Sequence, residues 1–133
     1  MPKLTEALKA FIARPEVVKI LATVNPDGSP NIGPKATTHL FDDESVAYLE
    51  VAGGRHWENV RRDPTVVVAC IDWEGREGYR LIGEAEVHQS GEVYERILQK
   101  FFKPDKPPPK GGVRIRVKEV HLLRPGKAGE KVT

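Results

Sequence analysis

The chain has 133 residues and a mass of 14.8 kDa, which is the size of one ordinary domain. Hydrophobic residues make up 39% and charged residues 30%, a composition that argues against a disordered chain and against a membrane protein. The net charge is +2 at pH 7, but residues 103–133 hold nine Lys or Arg against three acids, whereas residues 1–102 hold twelve against sixteen.

The single cysteine and the absence of long apolar runs bear on the cellular compartment. No apolar run approaches the roughly 20 residues that a membrane-spanning helix needs, and residues 1–4 lack the apolar stretch of a secretory signal. Cys70, the only cysteine, excludes an internal disulfide and is typical of a protein from a reducing compartment. We therefore expect one cytoplasmic domain over residues 1–133.

Hydrophobic periodicity and turn residues predict the secondary structure in chain order. A short helix is expected over residues 4–13, capped by Thr5 or its neighbours and ended by Pro15. The further elements are strands over residues 17–24, 30–34, 35–41 and 45–51, a helix over 56–62, strands over 65–72 and 79–87, a helix over 92–102 capped near Ser90, and a strand over 113–123. Because of its prolines, the segment 30–34 must be a sheet edge, a bulge or a strand start. Residues 103–112, with four prolines, form no regular element, and residues 124–133 are expected to be a flexible tail.

This order of elements predicts a mainly β fold. Six or more short strands with helices inserted between hairpins are typical of an antiparallel barrel with peripheral helices. A doubly wound parallel sheet would need a helix between successive strands, and most connections are too short to hold one.

The segment from Val51 to Asn59 carries the clearest chemical signal. A strand runs into Gly53 and Gly54 and then opens a helix with Arg55 and His56 in its first turn. Helix N-termini present unpaired N–H groups that suit a phosphate, and glycines allow a close approach of the backbone. Arg55 would add a charged fork and His56 a donor if protonated. Two glycines before a helix are also typical of an ordinary turn, so both interpretations stay open.

Other chemical interpretations find less support. The four histidines show no metal-ligand spacing, so we expect no metal site. No motif indicates a covalent nucleophile, and Cys70 lies in the most apolar strand as a core residue. Trp57 and Trp73 either cover the core or wall a flat aromatic ligand. The basic segment 103–131 could bind nucleic acid, although it has no aromatic side chain for base stacking.

The order of motifs resembles the pyridoxamine-phosphate-oxidase-like family of FMN-binding split barrels. The matching segments are Leu21-Ala22-Thr23-Val24 with Asp27-Gly28-Ser29-Pro30, Pro34-Lys35-Ala36-Thr37-Thr38, Tyr48-Leu49-Glu50-Val51, Gly54-Arg55-His56-x-x-Asn59-Val60-Arg61-Arg62-Asp63-Pro64, and Trp73 with Arg80-Leu81-Ile82-Gly83-Glu84-Ala85-Glu86-Val87. They cover residues 17–102, and the strand from Val113 fits too. The short length is closest to the small FMN-binding proteins of the group.

The resemblance implies a six- to seven-stranded antiparallel split barrel of Greek-key type, forming a homodimer with FMN at its interface. Its implied cofactor-binding residues fall into three groups along the chain. The backbone that faces the ring and ribityl chain belongs to Pro34, Lys35, Ala36, Thr37 and Thr38. The phosphate is held by Val51, Ala52, Gly53, Gly54, Arg55 and His56, and Asn59 orients that turn. The second subunit closes over the ring around Trp73 and Arg80. The implied function is that of a flavoprotein, an oxidoreductase or an electron carrier, for which we name no catalytic residue.

Two departures from the family pattern keep alternatives open. The family commonly has lysine where His56 falls, and the substrate-binding arginine and histidine of the oxidase have no match in residues 113–123. Pyridoxine-phosphate oxidation is therefore not expected. Related barrels also bind deazaflavin F420 or haem, so F420 on the same barrel is one alternative. A non-enzymatic binding module that uses the basic C-terminal segment is the other.

Overall fold

Seven strands and three helices make up most of residues 4–132, the part of the chain that the computed structural model describes. The elements are α1 (Glu6–Ala13), β1 (Val18–Val24), β2 (Pro30–Pro34), β3 (His39–Asp42), β4 (Ser45–Glu50), α2 (Arg55–Arg62), β5 (Thr65–Asp72), β6 (Glu77–His88), α3 (Gly91–Phe101) and β7 (Gly111–Leu123). Within these residues, no helix is long and apolar enough to cross a membrane.

All seven strands join one antiparallel sheet in the order β2-β1-β5-β6-β7-β4-β3. The two edge strands, β2 and β3, are consecutive in the chain and are joined only by residues 35–38. In a flat sheet these edges would lie about 29 Å apart, at roughly 4.8 Å per strand. Five Cα-to-Cα steps span at most about 18 Å, so the sheet must curl into a barrel. β4 pairs with β7 instead of β5, which is the Greek-key connection. The expected mainly β split barrel is confirmed.

The barrel interior holds the larger of two hydrophobic clusters. Side chains of β5 alternate in burial, with Val66, Val68 and Cys70 nearly inaccessible and facing Leu21 and Leu81. Each such aliphatic side chain stabilises the fold by about 1.5–3 kcal/mol relative to an exposed position. Burial raises the pKa of the Cys70 thiol to about 12, so it stays protonated and behaves as a core residue.

The helices close the barrel from outside. The N-cap hydroxyl of Thr5 accepts a hydrogen bond from the N–H of Leu8, as expected for the start of α1. α3 covers β4 and β7 through Ile97, which belongs to the second, smaller cluster. Ser90 occupies the N-cap position of α3, but its side chain makes no capping hydrogen bond.

One segment differs from its sequence-based expectation. Residues 35–38 were expected to continue a strand, but they form a turn closed by the N–H of Thr38 on the carbonyl of Lys35. The turn is also held by the ion pair between Lys35 and Glu50, a contact that local periodicity does not report.

The segment after Arg124, for which a flexible tail is expected, turns back along β7. The N–H of Val132 donates to the carbonyl of Val120, and Val132 packs against the core.

Gly83 provides a test of the barrel closure. The pairing of β6 with β7 shifts register between Ile82 and Gly83, and a Cβ at Gly83 would lie 2.4 Å from the carbonyl oxygen of Arg116. We expect Gly83→Ala to cost about 1–3 kcal/mol of unfolding free energy, because the backbone of β7 must move. The measurement is urea denaturation followed by circular dichroism.

The matched control is Gly33→Ala on β2. There the nearest atom to an added Cβ is Nε2 of His56 at 3.7 Å, an ordinary contact. This variant should stay within about 0.5 kcal/mol of the parent, or gain slightly through the unfolded state. Equal unfolding midpoints for the two variants would contradict the close packing of β6 on β7.

Candidate functional site

The candidate site begins where β4 ends and α2 starts. Gly53 and Gly54 have φ values of +84° and +119°, a region in which residues other than glycine are strained. Gly54 is the N-cap of α2 and has no side chain to accept from the first helical N–H groups. Apart from its two neighbours in the chain, no described residue has an atom within 4 Å of a Cβ position at Gly54. The helix therefore begins with uncapped donors and the positive end of its dipole beside open space.

Two cations stand near this helix start. Arg55, the first residue of α2, is exposed and forms no ion pair among the described residues. Hydrogen bonds from Ser29 hold the pKa of Asp27 below its usual range, and Arg55 adds a smaller electrostatic contribution, which places Arg55 near the β1–β2 turn. The Cε atom of Lys110 lies 3.3 Å from a Cβ position at Gly53. The arrangement can bind an anion with backbone donors and two charged side chains.

Asn59 fixes α2 against the end of β1. Its amide nitrogen donates to Oγ1 of Thr23 and to Oδ1 of Asn25, both at 3.0 Å, and its side chain is almost completely buried. Its Oδ1 accepts from Arg62 at 3.3 Å. A buried amide with its partners in place is costly to remove, by about 1–3 kcal/mol. Asn59 thus positions the helix that carries Arg55.

His56 points from the first turn of α2 towards β1 and β2. Its Nδ1 lies 2.8 Å from Oγ1 of Thr23 and 3.3 Å from Nδ2 of Asn31. The amide nitrogen of Asn31 can only donate, so Nδ1 accepts and the proton is on Nε2, while the hydroxyl of Thr23 can donate to Nδ1 and still accept from Asn59. Burial, followed by the charge of Lys35, lowers the pKa of His56, and Glu50 only partly opposes this. At neutral pH, His56 is therefore an uncharged donor through Nε2.

A buried ion pair joins the turn at residues 35–38 to the end of β4. Nζ of Lys35 lies 2.6 Å from Oε1 of Glu50, and only 4% of the Glu50 side chain is exposed. The hydroxyl of Thr37 donates to the carbonyl of Leu49 and accepts from its N–H, at 2.8 and 3.1 Å. These contacts hold the turn beside the start of α2.

Two buried hydroxyls near this turn make no hydrogen bond to any described residue. They are Oγ1 of Thr38 and the phenol oxygen of Tyr48. Burial, with a smaller contribution from Glu50, raises the pKa of Tyr48 well above its usual range, so the phenol stays protonated. Buried polar atoms without partners are rare, and a bound molecule or water normally supplies the missing partner.

The structure brings most of the predicted site residues together. Pro34, Lys35, Ala36, Thr37 and Thr38 lie beside Val51, Ala52, Gly53, Gly54, Arg55 and His56, with Asn59 behind them. Trp73 and Arg80 lie away from α2: Trp73 follows the end of β5 that pairs with Val18, and Arg80 lies on β6, which β5 separates from β1. Val18 is five residues, or about 17 Å, along β1 from Thr23. Trp73 is 84% exposed, and Arg80 donates to Nδ1 of His121.

Sequence reasoning missed several polar residues of this site. Thr23, Asn25 and Asn31 hold α2 and His56, Glu50 pairs with Lys35, and Lys110 approaches Gly53. Of these, only Glu50 is recognisable in the sequence, because it is the one charged residue in the otherwise uncharged strand β4. All six residues of that strand are buried. The others become recognisable only through the pairing of distant segments.

The sequence matches one family profile, and the fold is similar to those of several solved structures. The sequence profile described as pyridoxamine 5'-phosphate oxidase matches residues 4–124. HupZ of Group A Streptococcus is 31% identical, with a TM-score of 0.82 over 94% of this chain and 98% of that one. An FMN-binding protein from Syntrophomonas wolfei has 17% identity and a TM-score of 0.65 over 78% and 75% of the two chains.

A further solved structure, described as an F420 reductase, has 21% identity and a TM-score of 0.66 over 88% of this chain and 98% of that one. At this identity, as for the Syntrophomonas protein, the likeness concerns the fold. No curated protein sequence matches the chain closely enough to add to these comparisons.

Two partly buried histidines, His56 at the site and His39 on β3, give the protein's stability a dependence on pH. Burial lowers the folded-state pKa of both His56 and His39 below the unfolded value of about 6.5. Between the two values the unfolded chain binds more protons, so the unfolding free energy falls as pH decreases. We expect lower urea midpoints at pH 5.5 than at pH 7.5, with a smaller drop for His56→Gln than for the parent.

The double variant His39→Gln/His56→Gln serves as the reference for this titration. It should lose most of the remaining pH dependence, because carboxylates titrate below this window. An undiminished pH dependence in the double variant would contradict the burial of these two rings as its cause.

Proposed function

The chain belongs to the pyridoxamine 5'-phosphate oxidase family, and on this premise we propose that it is a flavoprotein that holds FMN at the interface of a homodimer. The observation that carries the proposal is the uncapped start of α2, with Gly53 and Gly54 in glycine-only conformations and Arg55 and Lys110 beside them. This is the donor set that a phosphate monoester needs. It coincides with the segment in which the family resemblance puts the phosphate.

The residues around the turn at 35–38 also suit a flavin. The turn and the end of β4 offer backbone groups, the unpaired hydroxyl of Thr38, and the exposed apolar side chains of Ile32 and Val51. A flavin ring needs both polar partners for its heteroatoms and apolar contact for its faces. The residues present therefore fit the cofactor that the family implies.

When bound, FMN would supply reversible one- and two-electron redox chemistry, and the chain would supply binding and orientation. Arg55 and the N–H groups of α2 would hold the phosphate, and Asn59 would keep the helix in place. His56 would present an uncharged N–H, so the phosphate would depend on Arg55 and Lys110 for side-chain charge. We assign no side chain as an acid or base, because electron or hydride transfer requires none.

A homodimer would complete the site. Large apolar side chains remain exposed on the chain, above all Ile32 at 71% and Trp73 at 84%. Trp73 and Arg80 lie away from α2 within one chain, and a second subunit would bring its own copies of them to the flavin. That is the role that the family resemblance gives them.

F420 on the same barrel is the second candidate, favoured by the structural likeness to an F420 reductase. The basic-segment alternative loses support from the structure. Arg114, Arg116 and Lys118 on β7 form ion pairs with acids such as Glu84 and Glu86. Cations that are already paired release few counterions to a nucleic acid.

Purification without added cofactor tests the cofactor and the assembly together. We expect a yellow protein that releases FMN on denaturation, identified by chromatography, and a light-scattering mass near twice 14.8 kDa. Release of F420 instead would select the second candidate. A colourless protein that takes up neither compound on titration would refute flavin binding.

Arg55→Ala tests the phosphate assignment, because riboflavin is FMN without its phosphate. Loss of a charge-assisted contact of about 1.5–3 kcal/mol should weaken FMN binding about 10- to 100-fold. Riboflavin binding should stay unchanged, as measured by flavin fluorescence quenching. The matched control is Arg61→Ala, at the other end of α2, where the guanidinium pairs with Glu58.

Trp73→Ser tests contact with the flavin ring, which FMN and riboflavin share. If Trp73 of the second subunit covers the ring, this variant weakens FMN and riboflavin binding alike. Equal losses of the two ligands in Arg55→Ala would mean that α2 does not hold the phosphate.

A further inference from the structure

A cleft of about 530 Å³, called the hairpin cleft below, lies where β5 turns into β6 and where β7 ends. One wall is formed by the end of β5 and the connection to β6, and the other by the end of β7 and residues 124–128. Its volume lies within the range of about 300–1,000 Å³ that is typical of small-molecule sites. None of the described residues that line it belongs to α2, β4 or the turn at residues 35–38. The cleft is therefore separate from the candidate flavin site of the same chain.

Apolar side chains from both walls line the hairpin cleft. They are Ile71, Trp73, Leu123, Pro125 and Ala128. The indole of Trp73 is 84% exposed, whereas the other tryptophan, Trp57, is buried in the core. An exposed indole at the wall of an apolar cleft offers a flat surface on which an aromatic ring can stack.

Hydrogen bonds close the turn in each wall. The N–H of Arg76 donates to the carbonyl of Trp73 at 3.3 Å, within the connection from β5 to β6. In the opposite wall, the N–H of Lys127 donates to the carbonyl of Arg124 at 3.0 Å. Both walls are therefore short closed turns, and their spacing does not depend on a ligand.

The two carboxylates in the lining already have cationic partners. Arg14, which follows α1, donates to Asp72 and Glu77, and it also pairs with Glu16 outside the cleft. The second carboxylate oxygen of Glu77 accepts from Arg124 at 2.9 Å. The hydrogen bonds from Arg14 and Arg124 hold the pKa of Glu77 below its usual range, so this carboxylate stays ionised and paired. A cationic ligand would find no free carboxylate among the described residues of the cleft.

Arg76 is the one charged side chain of the lining that has no partner among residues 4–132. It is exposed, and its φ of +52° lies in the left-handed region, where residues other than glycine are uncommon. Glu74, two residues earlier in the same connection, does not line the cleft. A guanidinium presents planar donors that match a carboxylate, a sulfonate or a phosphate. The hairpin cleft thus combines apolar walls with one free guanidinium.

We propose that the hairpin cleft binds a small aromatic anion whose ring stacks on Trp73 and whose anionic group meets Arg76. One chain supplies the whole site, so the inference goes beyond the proposed function and does not require a flavin. Trp73 is also the residue that the family resemblance puts near the flavin of a second subunit. The experiment therefore has to distinguish the two ligands.

Two ligands with the same aromatic body test the proposal. 2-Naphthoate carries a carboxylate, and 2-naphthamide has an uncharged amide in its place. Binding of each to the full chain is measured by equilibrium dialysis, with saturating FMN and without it. We expect Arg76→Gln to weaken binding of 2-naphthoate about three- to fivefold, since one exposed charge contact is lost. Binding of 2-naphthamide should change less than about twofold.

Two further variants separate the charge effect from the stacking effect. Lys127→Gln removes the same charge from the opposite wall, at a residue outside the lining, and should leave both ligands unaffected. Trp73→Ser alters an exposed side chain, so the fold should tolerate it. That variant should weaken both ligands, because it removes the stacking surface.

The outcomes separate this inference from the proposed function. Failure of the parent to bind 2-naphthoate, or equal effects of Arg76→Gln on the two ligands, overturns the aromatic-anion site. Displacement of 2-naphthoate by FMN mole for mole also overturns it, since the cleft would then belong to the flavin of a second subunit. Binding of 2-naphthoate that depends on Arg76, in a protein that takes up no FMN, would uphold the site and refute flavin binding.

Discussion

The short connection between the two edge strands is the constraint on which the structure depends. Residues 35–38 must bridge β2 and β3, which forces the seven-stranded sheet to curl until its edges approach each other. The ion pair between Lys35 and Glu50 and the two hydrogen bonds of Thr37 fasten this connection to the end of β4. Since α2 follows β4 directly, the same closure brings its first turn to β1 and β2. The contacts that close the barrel therefore also bring the parts of the candidate site together.

The sequence predicts the strands and helices well because most of them show their periodicity locally. β5 matches its predicted bounds of residues 65–72, and the edge position of β2 follows from its two prolines. Residues 35–38 were misassigned because two threonines favour a strand, whereas the turn is stabilised by a partner fifteen residues away, Glu50. The ordering of residues 124–132 likewise depends on the backbone of β7, which no local pattern reveals.

The candidate site was predictable only in part, and for a physical reason. Gly53, Gly54 and Arg55 could be recognised because the transition from strand to helix and its anion-binding donors lie within one short segment. The tautomer and charge of His56 are set by Thr23, Asn31 and Lys35, which approach it only in the folded chain. The site thus combines a local motif with a polar network that tertiary structure assembles.

The fold pairs part of the positive charge of residues 103–133 with acids from the rest of the chain. The excess of cations after residue 102 suggests a basic surface, but the cations of β7 are largely neutralised by acids on β6 and at the β3–β4 turn. Among the described residues, the cations without an ion pair include Arg55 and Lys110 beside α2, and Lys103 and Lys106 in the connection from α3 to β7. The cations beside the start of α2 are thereby left available to an anionic group. A net charge of +2 alone would not reveal this distribution.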